Sequence, residues 1–196
     1  PFIPPKYYGK PFYQGFKIEN SGFCNYPKGY IQTEYLRYLN NANYADNLVG
    51  KIIIKLKEQK LFERSLVILT SDHGEAFAEH TVMGHGKTVH NEQIHIPFLL
   101  KYPFQKKQRT VHKINSHVNL FRTIASMVSS RELNNLHETT GKLENHSINR
   151  MVYSRANGTI LNACIIGDRF KYIYDSGKEE LYQMDRDPNE KINRSE

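Results

Sequence analysis

The sequence predicts an α/β protein, with a core of mostly parallel strands flanked by helices and a small antiparallel sheet after it. Three observations carry that reading. A long stretch of helical periodicity precedes a short strand that is apolar on both faces. A second apolar run follows, and another helical pattern comes after it. Beyond residue 150, short strand-like segments alternate with turn residues.

Residues 1–30 are rich in Pro, Gly and Tyr. Proline fixes φ and glycine opens turns, so this stretch reads as an extended, ordered loop region. From Thr33 to Gln59 the pattern changes. Ala45, Leu48, Val49, Ile52, Ile53 and Leu56 recur at helical spacing, with Lys51, Lys55, Lys57 and Lys60 mostly on other faces. That is a long amphipathic helix, and Gly50 within it costs about 1 kcal/mol relative to Ala. Ser65-Leu66-Val67-Ile68-Leu69-Thr70 is apolar on both faces, as an interior parallel strand would be. Ile96 to Tyr102 is a second such run, with Pro97 placed at its first residues, where a missing N–H does least harm.

Val118, Phe121, Ile124, Ala125 and Val128 give a further helix, capped by Asn115 or Ser116. Residues 130–150 are polar and read as a surface loop. Then come short strands at Met151–Ser154, Leu161–Ile166, Phe170–Tyr174 and Leu181–Met184. Asn157-Gly158, Gly167-Asp168 and Ser176-Gly177 supply the turns of an antiparallel meander.

The 196 residues are 39% hydrophobic and 24% charged, which excludes a generic disordered chain. No apolar run approaches the roughly 18 residues of a membrane span. The net charge of +7 favours anionic partners: nucleic acid, an acidic lipid surface, or a sulfated or phosphorylated substrate. Lys106-Lys107-Gln108-Arg109 is short and lacks interleaved aromatics, so nucleic acid is not expected. Cys24 and Cys164 form neither a disulfide framework nor a CxxC site. The first residue is not Met, and the chain reads as a fragment.

Chemistry concentrates in Thr70-Ser71-Asp72-His73-Gly74-Glu75 and in Met83-Gly84-His85-Gly86-Lys87. Asp72 and His73 stand beyond the carboxyl end of a strand, where ligands bind in open α/β sheets. A carboxylate beside an imidazole offers two ligands to a divalent metal. The bland alternative has Asp72 capping the next helix and His73 bonded to a carbonyl. His85 lies between two glycines on a loop, with the positive charge of Lys87 beside it. Glu75 and Glu79 read as the solvated start of a helix after Gly74 rather than as further ligands. His80, His90 and His95 read as surface or supporting residues.

The stretch LVILTSDHGEAFAEH, continued by GHGKTVHNEQIHIPFLLKYP, resembles the C-terminal half of the sulfatase family within the alkaline phosphatase superfamily. It is also similar to phosphonate monoester hydrolases and phosphoethanolamine transferases. Pro1–Pro5, Tyr44-Ala45-Asp46, Lys171-Tyr172-Ile173, Glu180-Leu181-Tyr182 and Asp187-Pro188-Asn189-Glu190 extend the resemblance along most of the chain.

The resemblance implies an alkaline-phosphatase-like sandwich core, of which 1–130 would be the C-terminal part. A polar connecting loop would span 131–150 and a small antiparallel subdomain 151–196. It implies that Asp72 and His73 hold the active-site cation. It also implies that His85 contacts the sulfate or phosphate group or protonates the leaving oxygen, with Lys87 near the substrate-binding lysine. Many sulfatases carry Asn where His73 stands and hold calcium; an imidazole suits manganese or zinc better.

The family nucleophile sits in a C/S-x-P-x-R motif. Cys24-Asn25-Tyr26-Pro27-Lys28 does not match that motif, so the nucleophile is expected in an N-terminal half outside this chain. The implied activity is metal-dependent hydrolysis of sulfate esters, with phosphoesters or phosphonates as further substrates. The substrate would be a sulfated or phosphorylated small molecule or glycan. Alternatives are a phosphoethanolamine-type transferase and a non-catalytic polyanion-binding module. The implied location is periplasmic, extracellular or membrane-associated, and the isolated chain would be inactive.

Overall fold

A computed structural model describes residues 27, 29–108, 110–112, 114–117, 119–120, 124–125, 152–155, 163–167 and 169–195. Residues 1–26, with Pro1–Pro5, Cys24 and most of the Tyr-rich stretch, lie outside them, as does the polar loop at 130–150. The described residues fall into two compact units, one within 1–65 and 75–85 and the other within 66–74 and 86–196. No helix among them is long and apolar enough to cross a membrane.

In the first unit, helix α1 spans Tyr30–Glu58. Gly29 enters it with φ 80°, a left-handed conformation that glycine adopts without a Cβ clash. The helix closes on Lys60, at φ 56°. There Leu61 N–H reaches the Leu56 carbonyl at 2.8 Å and Lys60 N–H the Lys57 carbonyl at 2.9 Å. This paired closure satisfies two carbonyls that every helix end leaves open. Lys55 and Lys57 in the last turn oppose the negative end of the helix dipole.

Strands β2 (Ala76–Phe77) and β3 (Met83–Gly84) form a short antiparallel hairpin. Ile31, Phe77 and Ala78 are buried together, with Tyr35 and Met83 packed on them. The Tyr35 and Phe77 rings meet edge-on with centroids 4.9 Å apart. The start of α1 is thus the part that packs on the hairpin. Farther along, Val49, Ile53 and Leu56 are half-buried, whereas Leu48 and Ile52 of the same stripe are exposed.

In the second unit, β1 (Val67–Thr70) pairs with β4 (Phe98–Lys101), Val67 opposite Lys101 and Thr70 opposite Phe98. The single helical turn α2 (Asn91–Ile94) precedes β4. Strands β5 (Val152–Arg155), β6 (Ala163–Ile166), β7 (Phe170–Asp175) and β8 (Lys178–Gln183) form a four-stranded antiparallel meander. Ser176 (φ 50°) and Gly177 (φ 92°) make the two-residue turn between β7 and β8, whose twist matches the strands it joins. Val89, Cys164, Ile173 and Tyr182 form the buried core of this unit, with Ile94, Ile166 and Met184 against it.

Two expectations are corrected. The expected mostly parallel sheet is not present among the described residues: β1 and β4 run antiparallel, as do all the other strand pairs. A continuous apolar run reports that a strand has two apolar faces, and says nothing of its direction. The expected helix after Gly74 is instead the β2–β3 hairpin. Ala76 and Phe77 are fully or nearly buried there, and burial outweighs the charge pattern of Glu75 and Glu79. The four strands of the meander expected over 151–184 are present, while the turn expected at Asn157-Gly158 lies outside the described residues. Of the helix expected around 118–128, residues 117, 119–120 and 124–125 are helical, and the rest lie outside the described residues.

Candidate functional site

Strand β1 ends at Thr70, and the chain turns at once into Ser71, Asp72 and His73. The turn is held locally. The Ser71 hydroxyl donates to the His73 carbonyl at 2.7 Å, and the His73 N–H donates to Asp72 Oδ1 at 3.0 Å. That N–H, followed by Asp72's own N–H and the imidazole, holds the Asp72 carboxyl below the usual carboxylate range. The carboxylate is 86% exposed, so an anionic oxygen faces outward.

His73 is oriented in the same way. Its Nδ1 lies 2.8 Å from the Gly74 carbonyl, and a carbonyl only accepts, so Nδ1 carries the proton. In the neutral imidazole the lone pair is then on Nε2, which stands 3.6 Å from Asp72 Oδ2. Two ligands bound at about 2.1 Å to a tetrahedral ion are about 3.4 Å apart. The nitrogen and the carboxylate oxygen therefore fit the bite of one divalent cation. The hydrogen bond from the other ring nitrogen to a carbonyl is the support such ligands ordinarily have.

Gly74 is required for packing. A Cβ there would sit 2.2 Å from the Glu92 carbonyl oxygen, while the Gly74 N–H donates to the Gln93 carbonyl at 2.8 Å. Gln93 is buried and uses its side chain on the neighbouring loop. Its Oε1 accepts from the N–H of Lys87 at 3.1 Å and of Thr88 at 3.3 Å. Lys87 is exposed on that loop.

His85 belongs to the other unit, as does Glu75. The β2–β3 register sets Ala76 opposite Gly84, so Glu75 and His85, one step beyond, face each other. Glu75 Oε2 accepts from His85 Nδ1 at 2.8 Å. Gly84 (φ 87°) and Gly86 (φ 73°) on either side take backbone conformations that a side chain resists, and so present His85 on a tight bend. His85 is half exposed and Glu75 largely buried.

Gln93 was not among the residues the sequence singled out, and Glu75, read from the sequence as the solvated start of a helix, is instead the partner of His85. For Glu75 a signal existed: two short apolar segments, at 76–78 and 82–83, around a polar turn. Gln93 had none, because a glutamine in a short polar-apolar run looks like any surface residue. His90 is a buried structural residue, its Nε2 donating to Glu180 at 3.0 Å.

Comparison with known proteins places the chain in a family. The sulfatase family model matches residues 3–130. The chain is 26% identical to the uncharacterized sulfatase YidJ of Escherichia coli over 165 residues, which are 80% of this chain and 33% of the relative. It is 28% identical to Gallus gallus arylsulfatase K over 167 residues, covering 76% of this chain and 31% of that one. It thus spans about a third of the length of the curated relatives it matches.

Among solved structures, BT4656 in complex with its substrate D-glucosamine-2-N,6-O-disulfate matches with a TM-score of 0.67 and 21% identity, over 83% of this chain and 36% of that chain. The phosphonate monoester hydrolase of Agrobacterium radiobacter gives the same TM-score at 18% identity, over 86% and 38%. At these identities the structures speak for the fold alone. With the family model covering more than half of its length, the chain belongs to the sulfatase family.

Proposed function

We propose that this chain supplies the cation-binding turn and an anion-facing histidine to a metal-dependent hydrolase of sulfate esters. The convergence of Asp72 Oδ2 and His73 Nε2 at the end of β1 is the observation that carries the reading. Sulfatase family members typically use a divalent metal. When bound, such a cation supplies Lewis-acid polarisation of the ester oxygens. One carboxylate with one imidazole suits manganese or zinc better than calcium. Further ligands and the nucleophile would come from a longer chain of which these residues are part.

In this reading Asp72 stays anionic and His73 presents the lone pair of Nε2. His85 donates from Nε2 to the sulfate group or to the leaving oxygen. The Glu75 carboxylate, 2.8 Å from Nδ1, compensates the imidazolium that such donation requires. Lys87 adds positive charge toward the same class of anion. The substrate class is a sulfated sugar or glycan, supported by the net charge of +7 and by the disulfated glucosamine held by BT4656. A phosphonate or phosphate ester is the second reading, favoured by the likeness to the phosphonate monoester hydrolase.

The test uses the full-length protein that contains this chain. Asp72→Ala should abolish both metal retention, by elemental analysis, and hydrolysis of p-nitrophenyl sulfate. Activity and metal that survive the substitution would overturn the assignment. Faster turnover of an aryl phosphonate monoester than of the sulfate would favour the second reading.

A further inference from the structure

We propose that Gln93 is a positioning residue that sets the loop carrying Lys87 against the Asp72–His73 turn. Its link to substrate rests on the function proposed above; its structural role does not. Gln93 is 2% exposed, and both ends of its side-chain amide are used on one short stretch of backbone. Oε1 accepts from Lys87 N–H at 3.1 Å and Thr88 N–H at 3.3 Å, while Nε2 donates to Thr88 Oγ1 at 3.0 Å. Residues 86–90 lie in no helix or strand, so these bonds stand in for the ladder the loop lacks. Through its main-chain carbonyl the same residue takes the N–H of Gly74 at 2.8 Å, immediately after His73. One residue therefore grips both segments, one by its side chain and the other by its backbone.

The position of Gln93 is itself enforced. Asn91, two residues before it, gives its N–H to Glu190 Oε2 at 2.7 Å and its amide N–H to the Pro188 carbonyl at 3.0 Å. Asn91 Oδ1 accepts from Lys171 Nζ at 3.1 Å. Lys171 and Glu190 are wholly buried. Strand β7 and the loop after β8 thus anchor α2, and α2 presents Gln93 to the loop.

This division of labour makes a specific prediction. Gln93→Leu keeps the volume and the backbone carbonyl but loses the three side-chain bonds. Gln93→Glu keeps an acceptor for both N–H groups, and the Thr88 hydroxyl can turn to donate to it. The test compares these variants in the full-length protein by residue-resolved amide hydrogen exchange, metal content and steady-state hydrolysis of p-nitrophenyl sulfate. In Gln93→Leu, the Lys87 and Thr88 amides should exchange at least about tenfold faster while the Gly74 amide keeps its protection. Metal content and kcat should stay near wild type, and KM should rise about tenfold. Gln93→Glu should restore most of the protection and most of the KM.

Unchanged exchange at Lys87 and Thr88 would overturn the proposal. So would acceleration spread evenly over the whole unit, which would mark Gln93 as an ordinary core residue, and so would a Gln93→Glu variant as impaired as Gln93→Leu. Failure of the function reading is seen separately, in Asp72→Ala retaining metal and turnover, and leaves the exchange result standing.

Discussion

Lys171 and Glu190 form an ion pair from which water is fully excluded, both side chains being 0% exposed. They come from the start of β7, near the open end of the β7–β8 hairpin, and from the loop after β8, and Asn91 bonds to both. Burying two charges is costly unless each has partners, and here each has a second one. The KYI and DPNE segments, read from the sequence only as part of a family pattern, meet in this pair.

Breaking the pair from one side should therefore cost much more than a surface substitution. Glu190→Gln or Lys171→Met leaves an uncompensated buried charge and should destabilise folding by about 3–5 kcal/mol. Urea unfolding followed by circular dichroism measures it. The double substitution Lys171→Met with Glu190→Leu should recover part of the loss, since no charge then remains buried.

Two glycines should respond to alanine with opposite signs. Gly50 lies inside α1, and a Cβ there meets nothing within 4 Å. Gly50→Ala should stabilise by about 0.5–1 kcal/mol, through the lower entropy of the unfolded chain. At Gly74 the added carbon would lie 2.2 Å from the Glu92 carbonyl oxygen, and backbone cannot swing aside as a side chain can. Gly74→Ala should destabilise by about 3 kcal/mol and weaken metal binding with it. Thermal melts of the two variants side by side give the comparison.

Tyr182 makes stability depend on alkaline pH. Burial, and then its hydrogen bond to Glu180 at 2.9 Å, push its phenol well above the ordinary tyrosine value. The unfolded chain ionises this group near pH 10 while the folded chain keeps it neutral. Its contribution is therefore intact below about pH 10 and falls as pH rises further, by about 1.4 kcal/mol per pH unit. Tyr182→Phe should be about 1 kcal/mol less stable at pH 8 and should close that gap between pH 10 and 11. Urea titrations of both proteins at those pH values decide it.

The β1–β4 ribbon should make the isolated 196-residue chain prone to self-association. Leu69, Phe98 and Leu99 are 38%, 37% and 58% exposed on two strands with nothing else paired to them among the described residues. Apolar side chains beside unpaired strand edges are a template for association. Leu99→Lys should lower the apparent mass seen by light scattering at high concentration, without changing the circular dichroism spectrum. The isolated chain should also bind Mn²⁺ or Zn²⁺ weakly, because Asp72 and His73 offer two candidate ligands and a tight site has more.

Local chemistry made much of this protein readable from its residues alone. Six apolar positions at helical spacing announced α1. Ser176-Gly177 announced a tight turn, because glycine takes a positive φ without strain. Asp72 and His73 were visible as a candidate ligand pair because a strand ended just before them, and two adjacent residues need no fold to bring them together.

What only tertiary structure decided are the relationships between distant residues. The direction of β1 against β4 followed from how the intervening chain returned, which apolarity does not encode. The pairing of Glu75 with His85 depended on the register of a hairpin where a helix was expected. Gln93 became a grip on two loops only once α2 was fixed by Asn91, Lys171 and Glu190. A residue's type and spacing set which bonds it can make. Burial and register, which are properties of the whole chain, set which of them it does make.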